Sequence, residues 1–257
     1  MRLKKKIKRI FNLIFWGLLF TGAGILLGFA NYEQEGTVCR SLHYNLFYGE
    51  SDILIQEAEI DSMIRSVAGE VKGKPLFMIN TEKMERVVSR NPYVSDAHVF
   101  STNTGDIYIN VYQHEPVIRI ITESNNSYFI GDKGVLLPFH PDYPVRVLVA
   151  SGVISDSNIN SDTASPLFSD LYKLALFINR DPFLKAQVDQ IYVNRQGEYE
   201  LIPKVGNHLI LLGDAENLAD KFNRLMVFYK QGLNQIGWNK YTVINIKYKN
   251  QVVCSKR

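Results

Sequence analysis

Cysteine is nearly missing from this chain. Cys39 and Cys254 are the only two in 257 residues, which excludes a disulfide-dense scaffold, and their places near opposite ends of the chain make them read as two separate thiols. Histidine is sparse too. His43, His98, His114, His140 and His208 are scattered without metal-ligand spacing, and neither Cys-x-x-Cys nor His-Glu-x-x-His occurs. The chain also lacks a Gly-x-Ser-x-Gly elbow, a Ser-x-x-Lys pair and a phosphate-binding glycine loop. Glu57 with Glu59 and Glu198 with Glu200 are close carboxylates, but no nucleophile or base accompanies them, so they read as solvated faces. These absences point away from catalysis and toward binding, with no cofactor and no small-molecule substrate.

A net positive charge is missing from most of the chain, although the total is +3. Arg2, Lys4, Lys5, Lys6, Lys8 and Arg9 crowd the first nine residues without a carboxylate among them, so the remainder is three charges negative. A nucleic-acid binder needs its cations spread over the folded surface that meets phosphates, and that class is excluded. With 46% hydrophobic and 21% charged residues, the rest can bury two modest cores.

The basic tail (1–9) precedes an apolar run from Ile10 to Ala30 in which Asn12 and Thr21 are the only strongly polar side chains. As a helix this run measures roughly 31 Å, the thickness of a bilayer's hydrocarbon core. It is longer than the apolar region of a cleaved signal peptide. Lys and Arg before it and Glu33 and Glu35 after it predict a single transmembrane helix over 10–30, with a cytoplasmic N-terminus and everything beyond it on the outer side of a bacterial inner membrane.

Beyond the span, 37–48 reads as an extended segment. Ile60, Met63, Ile64 and Val67 recur at helical spacing and Gly69 stops the helix. Asn80 is a good N-cap for a second helix carrying Met84, Val87 and Val88, which Pro92 ends. Strands are expected over Val94–Phe100 and Asp106–Gln113, giving β-α-α-β-β. After Glu115-Pro116 short strands are expected over Val117–Thr122, Tyr128–Ile130, Val135–Leu137 and Val145–Ala150. The stretch 153–165 reads as a polar, flexible link. Ser165 and Pro166 open a helix with Leu167, Leu171, Leu174 and Ile178 on one face. Strands near Val188–Val193, Glu198–Ile202 and His208–Leu212 precede a long helix over Ala215–Gln235. Tyr241–Tyr248 reads as a last long strand, with Gln251–Cys254 continuing it after a kink.

Several segments resemble the FtsQ/DivIB division proteins, over nearly the whole chain. Asn91-Pro92-Tyr93-Val94-Ser95-Asp96-Ala97-His98-Val99 is similar to that family's entry into a POTRA hairpin. Val111-Tyr112-Gln113-His114-Glu115-Pro116-Val117 resembles the exit from it. Tyr128-Phe129-Ile130-Gly131-Asp132-Lys133-Gly134-Val135 resembles the opening of the family's β domain, with Gly131 inserted before the Asp. Leu212-Gly213, then Lys221, then Arg224-Leu225 is similar to its helix entry. The last strand departs: Asn245-Ile246-Lys247-Tyr248 stands where the family tends toward Asp-Leu-Arg-Tyr.

The resemblance implies an α+β fold: one transmembrane helix, a POTRA domain with its linker (31–115), then a mixed α/β domain dominated by an antiparallel sheet (116–257). It implies a non-enzymatic divisome scaffold at the septum that binds FtsB and FtsL and, through them, acts on FtsW and FtsI in septal peptidoglycan synthesis. A long apolar last strand offers an unpaired edge to which a partner can add its own. The expected partner-binding residues are Asn245, Ile246, Lys247, Tyr248 and Val252, supported by Arg224. The alternative is a POTRA-type outer-membrane protein assembly or translocation factor.

Overall fold

A computed structural model describes residues 14–25, 37–49, 52–141, 143, 145–159 and 165–256, and divides the chain into two units. The first takes the chain up to Phe47 and then Ile55–Gln113; the second takes Tyr48–Leu54 and everything from His114 onward. Residues 14–25 form helix α1, on which Ile14, Phe15, Trp16, Leu18, Leu19, Phe20 and Ile25 are all exposed. The basic tail and both ends of the expected span lie outside the described residues. Among the described residues no helix is long and apolar enough to cross a membrane.

The first unit runs β1 (Ser41–Phe47), α2 (Glu57–Ala68), a 3-10 turn (Leu76–Met78), α3 (Thr81–Val88), β2 (Val94–Ser101) and β3 (Asp106–Gln113). This is the expected β-α-α-β-β order. Ile60 and Ile64 are the buried stripe of α2, and the chain leaves the helix at Gly69, whose N–H bonds to the Arg65 carbonyl. The Asn80 side chain accepts from the Lys83 N–H at 2.8 Å and starts α3. The sheet order is β1-β3-β2, with β1 parallel and β2 antiparallel to β3.

Val94, Ala97 and Val99 are all buried, a spacing of three and then two that simple strand alternation forbids. A bulge between Val94 and Asp96 inserts the extra residue and returns Ala97 and Val99 to the core face. There they meet Ile107, Ile109 and Val111 of β3 and Met84 and Val88 of α3. The sheet's other face carries cross-strand ring pairs: His43 on Tyr108 at 4.9 Å, Phe100 on Tyr108 at 5.5 Å and Phe47 on Tyr112 at 4.7 Å.

The second unit is built on a nine-stranded sheet. Its elements are β4 (Pro116–Ile121), β5 (Ser127–Gly131), β6 (Leu136–Pro138), β7 (Leu148–Gly152), α4 (Asp156–Ile159), α5 (Pro166–Arg180), α6 (Pro182–Gln187), β8 (Val188–Val193), β9 (Tyr199–Pro203) and β10 (Leu209–Gly213). They continue through α7 (Leu218–Val227), a π-helical turn (Phe228–Leu233), α8 (Asn234–Ile236), β11 (Tyr241–Asn245) and β12 (Val253–Lys256). The strand order is β12-β11-β10-β9-β8-β7-β4-β5-β6.

Antiparallel pairs are in the majority, yet β4–β7, β7–β8 and β10–β11 are parallel. Parallel neighbours need a crossover, which α4, α5 and α6 supply between β7 and β8 and α7 with its continuation supplies between β10 and β11. Two of these helices were not expected. The link read as polar and flexible carries α4, with Ile154 and Ile159 buried. At α6, Pro182 sits in the first turn and Asp181 caps the Phe183 and Leu184 N–H groups at 2.9 and 3.0 Å. At α5 the Ser165 hydroxyl accepts from the Phe168 N–H at 3.2 Å, as the Ser-Pro pair predicts.

Phe168, Leu171, Leu174 and Ile178 of α5 and Phe222 and Leu225 of α7 join Ile118, Ile120, Ile191, Leu201, Ile210 and Ile244 in one core. A polar pair is sealed beside it. His208 Nε2 lies 2.8 Å from the Tyr229 hydroxyl, both residues are buried, and His208 Nδ1 has no partner. Burial lowers the His208 pKa and raises that of Tyr229.

Candidate partner-binding edge

β11 stops at Asn245. The Asn245 side chain accepts from the Lys247 N–H at 3.0 Å, a local bond that bends the backbone out of the ladder. Ile246 turns inward, fully buried, and its N–H bonds to the Leu211 carbonyl at 3.0 Å. A turn follows in which Asn250 takes φ 62°, a conformation that asparagine tolerates better than most residues. β12 then runs back antiparallel to β11, with Cys254 opposite Ile244 and Val253 opposite Asn245.

The expected single strand over Tyr241–Tyr248, continued by Gln251–Cys254, is therefore a hairpin. β11 is paired on both sides, by β10 and β12, and the outermost strand on this side of the sheet is β12. Val253 is 46% exposed, Cys254 is half-buried, and Ser255 and Lys256 are exposed. Cys254 is a free thiol whose pKa burial raises, and Cys39 is likewise free, buried and raised by its burial.

Two cationic side chains tie down the base of this hairpin, and a third braces the end of β10 beside it. Arg224, on α7, donates from Nη2 to the Ile246 carbonyl at 2.8 Å, and its Nη1 pairs with Asp220 one turn earlier. Its Nε is buried without a partner. Lys247 Nζ bonds both carboxylate oxygens of Glu198, at 2.6 and 2.7 Å, and that contact raises the Lys247 pKa. Lys221, nearly buried, reaches the Asp214 carbonyl at 3.0 Å and its carboxylate at 2.5 Å, holding the Asp214 pKa below the usual carboxylate range. Gly213 lies between these groups at φ +81°, and a Cβ there would stand 2.9 Å from Cγ of Lys247. Only glycine meets both conditions without strain.

The sequence-predicted residues thus separate into two kinds. Arg224, Asn245, Ile246 and Lys247 converge on the base of the hairpin and hold it. Tyr248 stands in the turn, 52% exposed, and Val252 packs half-buried against the core. Sequence reasoning missed Val253, Ser255 and Lys256 on the outermost strand, and Glu198, which anchors Lys247. The signal was available: Tyr248-Lys249-Asn250-Gln251 between two β-prone runs is a hairpin turn.

The segments quoted for their resemblance become physical parts here. Gly213, Lys221, Arg224 and Leu225 line the route from β10 through α7 to the hairpin base, and the Asn91–Val99 segment is the bulged entry to β2. Residues 115–255 match the family described as FtsQ/DivIB, C-terminal related. The chain belongs to the FtsQ/DivIB family. Residues 37–112 match a POTRA-like domain, the stretch that holds β1 through nearly all of β3. FtsQ/DivIB-related domains of this kind mark a cell-division scaffold, and neither match supports the outer-membrane assembly alternative. No curated protein matches the chain.

Proposed function

We propose that this FtsQ/DivIB-family chain is a non-enzymatic scaffold, anchored once in the inner membrane with its N-terminus in the cytoplasm, that binds FtsB and FtsL by strand addition at the septum. Through them it recruits and regulates FtsW and FtsI in septal peptidoglycan synthesis. The observation that carries this reading is β12. It ends a nine-stranded sheet, its outer neighbour position is empty among the described residues, and a partner strand there would gain main-chain hydrogen bonds for affinity and side-chain pockets for specificity.

Tyr248 and Val252 flank that edge, while Arg224, Asn245, Ile246 and Lys247 hold the hairpin at the angle a partner would meet. The helical part of the apolar run supports the anchor, because seven large apolar side chains of α1 are all exposed, and such a helix is at home in lipid. The POTRA-like unit would be a second docking site. Full-length protein in nanodiscs should capture the FtsB periplasmic segment. Undiminished capture by a variant with Ser255→Pro and Cys254→Pro together would place the binding site elsewhere.

A further inference from the structure

We infer that the loop between α2 and α3 rests on an anionic lipid surface. Residues 71–80 read Val-Lys-Gly-Lys-Pro-Leu-Phe-Met-Ile-Asn. At its 3-10 turn Phe77 is 63% exposed and Met78 66%. Two adjacent large apolar side chains held in water at a loop tip mark a contact surface. Val38, 42% exposed, extends the patch through its bridge to Pro75.

Charge selects the kind of surface. Lys72 and Lys74 lie on the loop, and Arg40 follows Val38 by two residues; all three are exposed. Of the flanking carboxylates, Glu70 is paired with Arg65 at 3.0 Å and Glu82 is already in the first turn of α3. Apolar side chains beside basic ones are what an interfacial lipid contact needs: the first enter the headgroup and acyl boundary, and the second meet anionic headgroups.

Chain connectivity brings such a surface within reach. The Leu76 N–H bonds to the Thr37 carbonyl at 2.9 Å, the Cys39 N–H to Lys74 at 2.8 Å, and the Gly73 N–H to Cys39 at 2.8 Å. The polypeptide coming from the apolar run therefore enters the unit at this loop. With the span ending at residue 30, residues 31–36 are the whole link, and they reach roughly 20 Å at most. This inference rests on the anchor reading, and the experiment separates the two.

Full-length protein, and the same protein carrying Phe77→Trp, are reconstituted in phosphatidylglycerol-containing vesicles with and without brominated acyl chains. The parent has two tryptophans, Trp16 in the expected span and Trp238 packed on Tyr229. Bromolipid should quench the Trp16 share of the parent's emission, and it should also quench most of the emission that Phe77→Trp adds. Each basic residue near the surface strengthens attraction about fivefold, so Lys72→Glu with Lys74→Glu should restore the added emission, as should neutral vesicles. A parent that bromolipid does not quench would overturn the anchor and the loop contact together. A quenched parent whose added tryptophan stays bright would overturn the loop contact alone, leaving Phe77 and Met78 to a protein partner. Added quenching that ignores lipid charge would overturn the anionic selectivity.

Discussion

Arg224 reaches across from α7 to the backbone carbonyl of Ile246, 2.8 Å away, and so ties the crossover helix to the point where the last hairpin leaves the sheet. The guanidinium donates to a carbonyl rather than to a side chain, so the contact is indifferent to which residue stands at 246 but sensitive to the shape of the donor. A lysine has no second planar donor with which to hold Asp220 as well.

Arg224→Ala should lower stability by about 1–3 kcal/mol, since it strands the Ile246 carbonyl without its donor. Arg224→Lys should recover only part of that loss. Thermal melting of the full-length protein checks both, and a variant with an unchanged midpoint would show that the tie contributes nothing.

Tyr248→Ala should leave the melting curve alone, because the side chain is half exposed in a turn. FtsB binding should weaken by about 2 kcal/mol, roughly thirtyfold, if the ring anchors the partner. Titration of the partner segment against parent and variant measures it, and parent-like affinity would remove Tyr248 from the interface.

Proline substitutions can separate folding from docking. Ile246→Pro breaks the bond to Leu211 and disturbs a fully buried residue, so it should unfold the unit's edge and says little about partners. On β12, successive N–H groups point to opposite sides of the strand. One of Cys254→Pro and Ser255→Pro should therefore loosen the hairpin, while the other should keep the parent's melting point and lose the partner. Two stable variants that both bind would exclude strand addition at β12.

Lys247→Glu places a carboxylate where Glu198 now holds an ammonium. Both groups are partly exposed, so the stability change should stay below about 1 kcal/mol. Any effect on the rate of partner association should shrink as salt rises. Stopped-flow measurements at low and high salt would show this, and a salt-independent rate would mean the charge is not at the rim.

His208 sets an acid limit. Its folded pKa lies below its unfolded value of 6.5 because burial disfavours the charged ring. The unfolded chain therefore binds more protons in that window, and stability falls as pH drops below 6.5 toward the folded value. His208→Phe should flatten melting temperature against pH between about 7.5 and 5.5, and an unaltered slope would assign the acid sensitivity to another group.

How far the sequence could be read depended on whether the cause was local. Asn80 and Ser165 cap their helices where the pattern predicts, because a cap is decided by a side chain and an N–H three residues away. The strand over Asp106–Gln113 was legible from its alternation alone. The parallel pairings of β4 with β7 and of β10 with β11 were not, since nothing in either strand's composition names its neighbour. The final strand failed for a subtler reason. Ile244, Ile246 and Tyr248 continue the alternation past the point where Asn245 bends the backbone, so the pattern of hydrophobic residues concealed the turn. The motif residues Gly213, Lys221 and Arg224 were picked out by resemblance, and their joint role at the hairpin base emerged only from the fold.

The parallel pairing of β1 with β3 joins Ser41 to Asp106, 65 residues apart. During synthesis β1 emerges first and waits for the last strand of its own unit. Until then Leu42, Tyr44 and Leu46 have no sheet to join, and only α2 and α3 can form beside them from local sequence. The first unit therefore closes only when residues 106–113, which pair locally with β2, also meet β1, and that long loop closure should slow its folding more than its helices do.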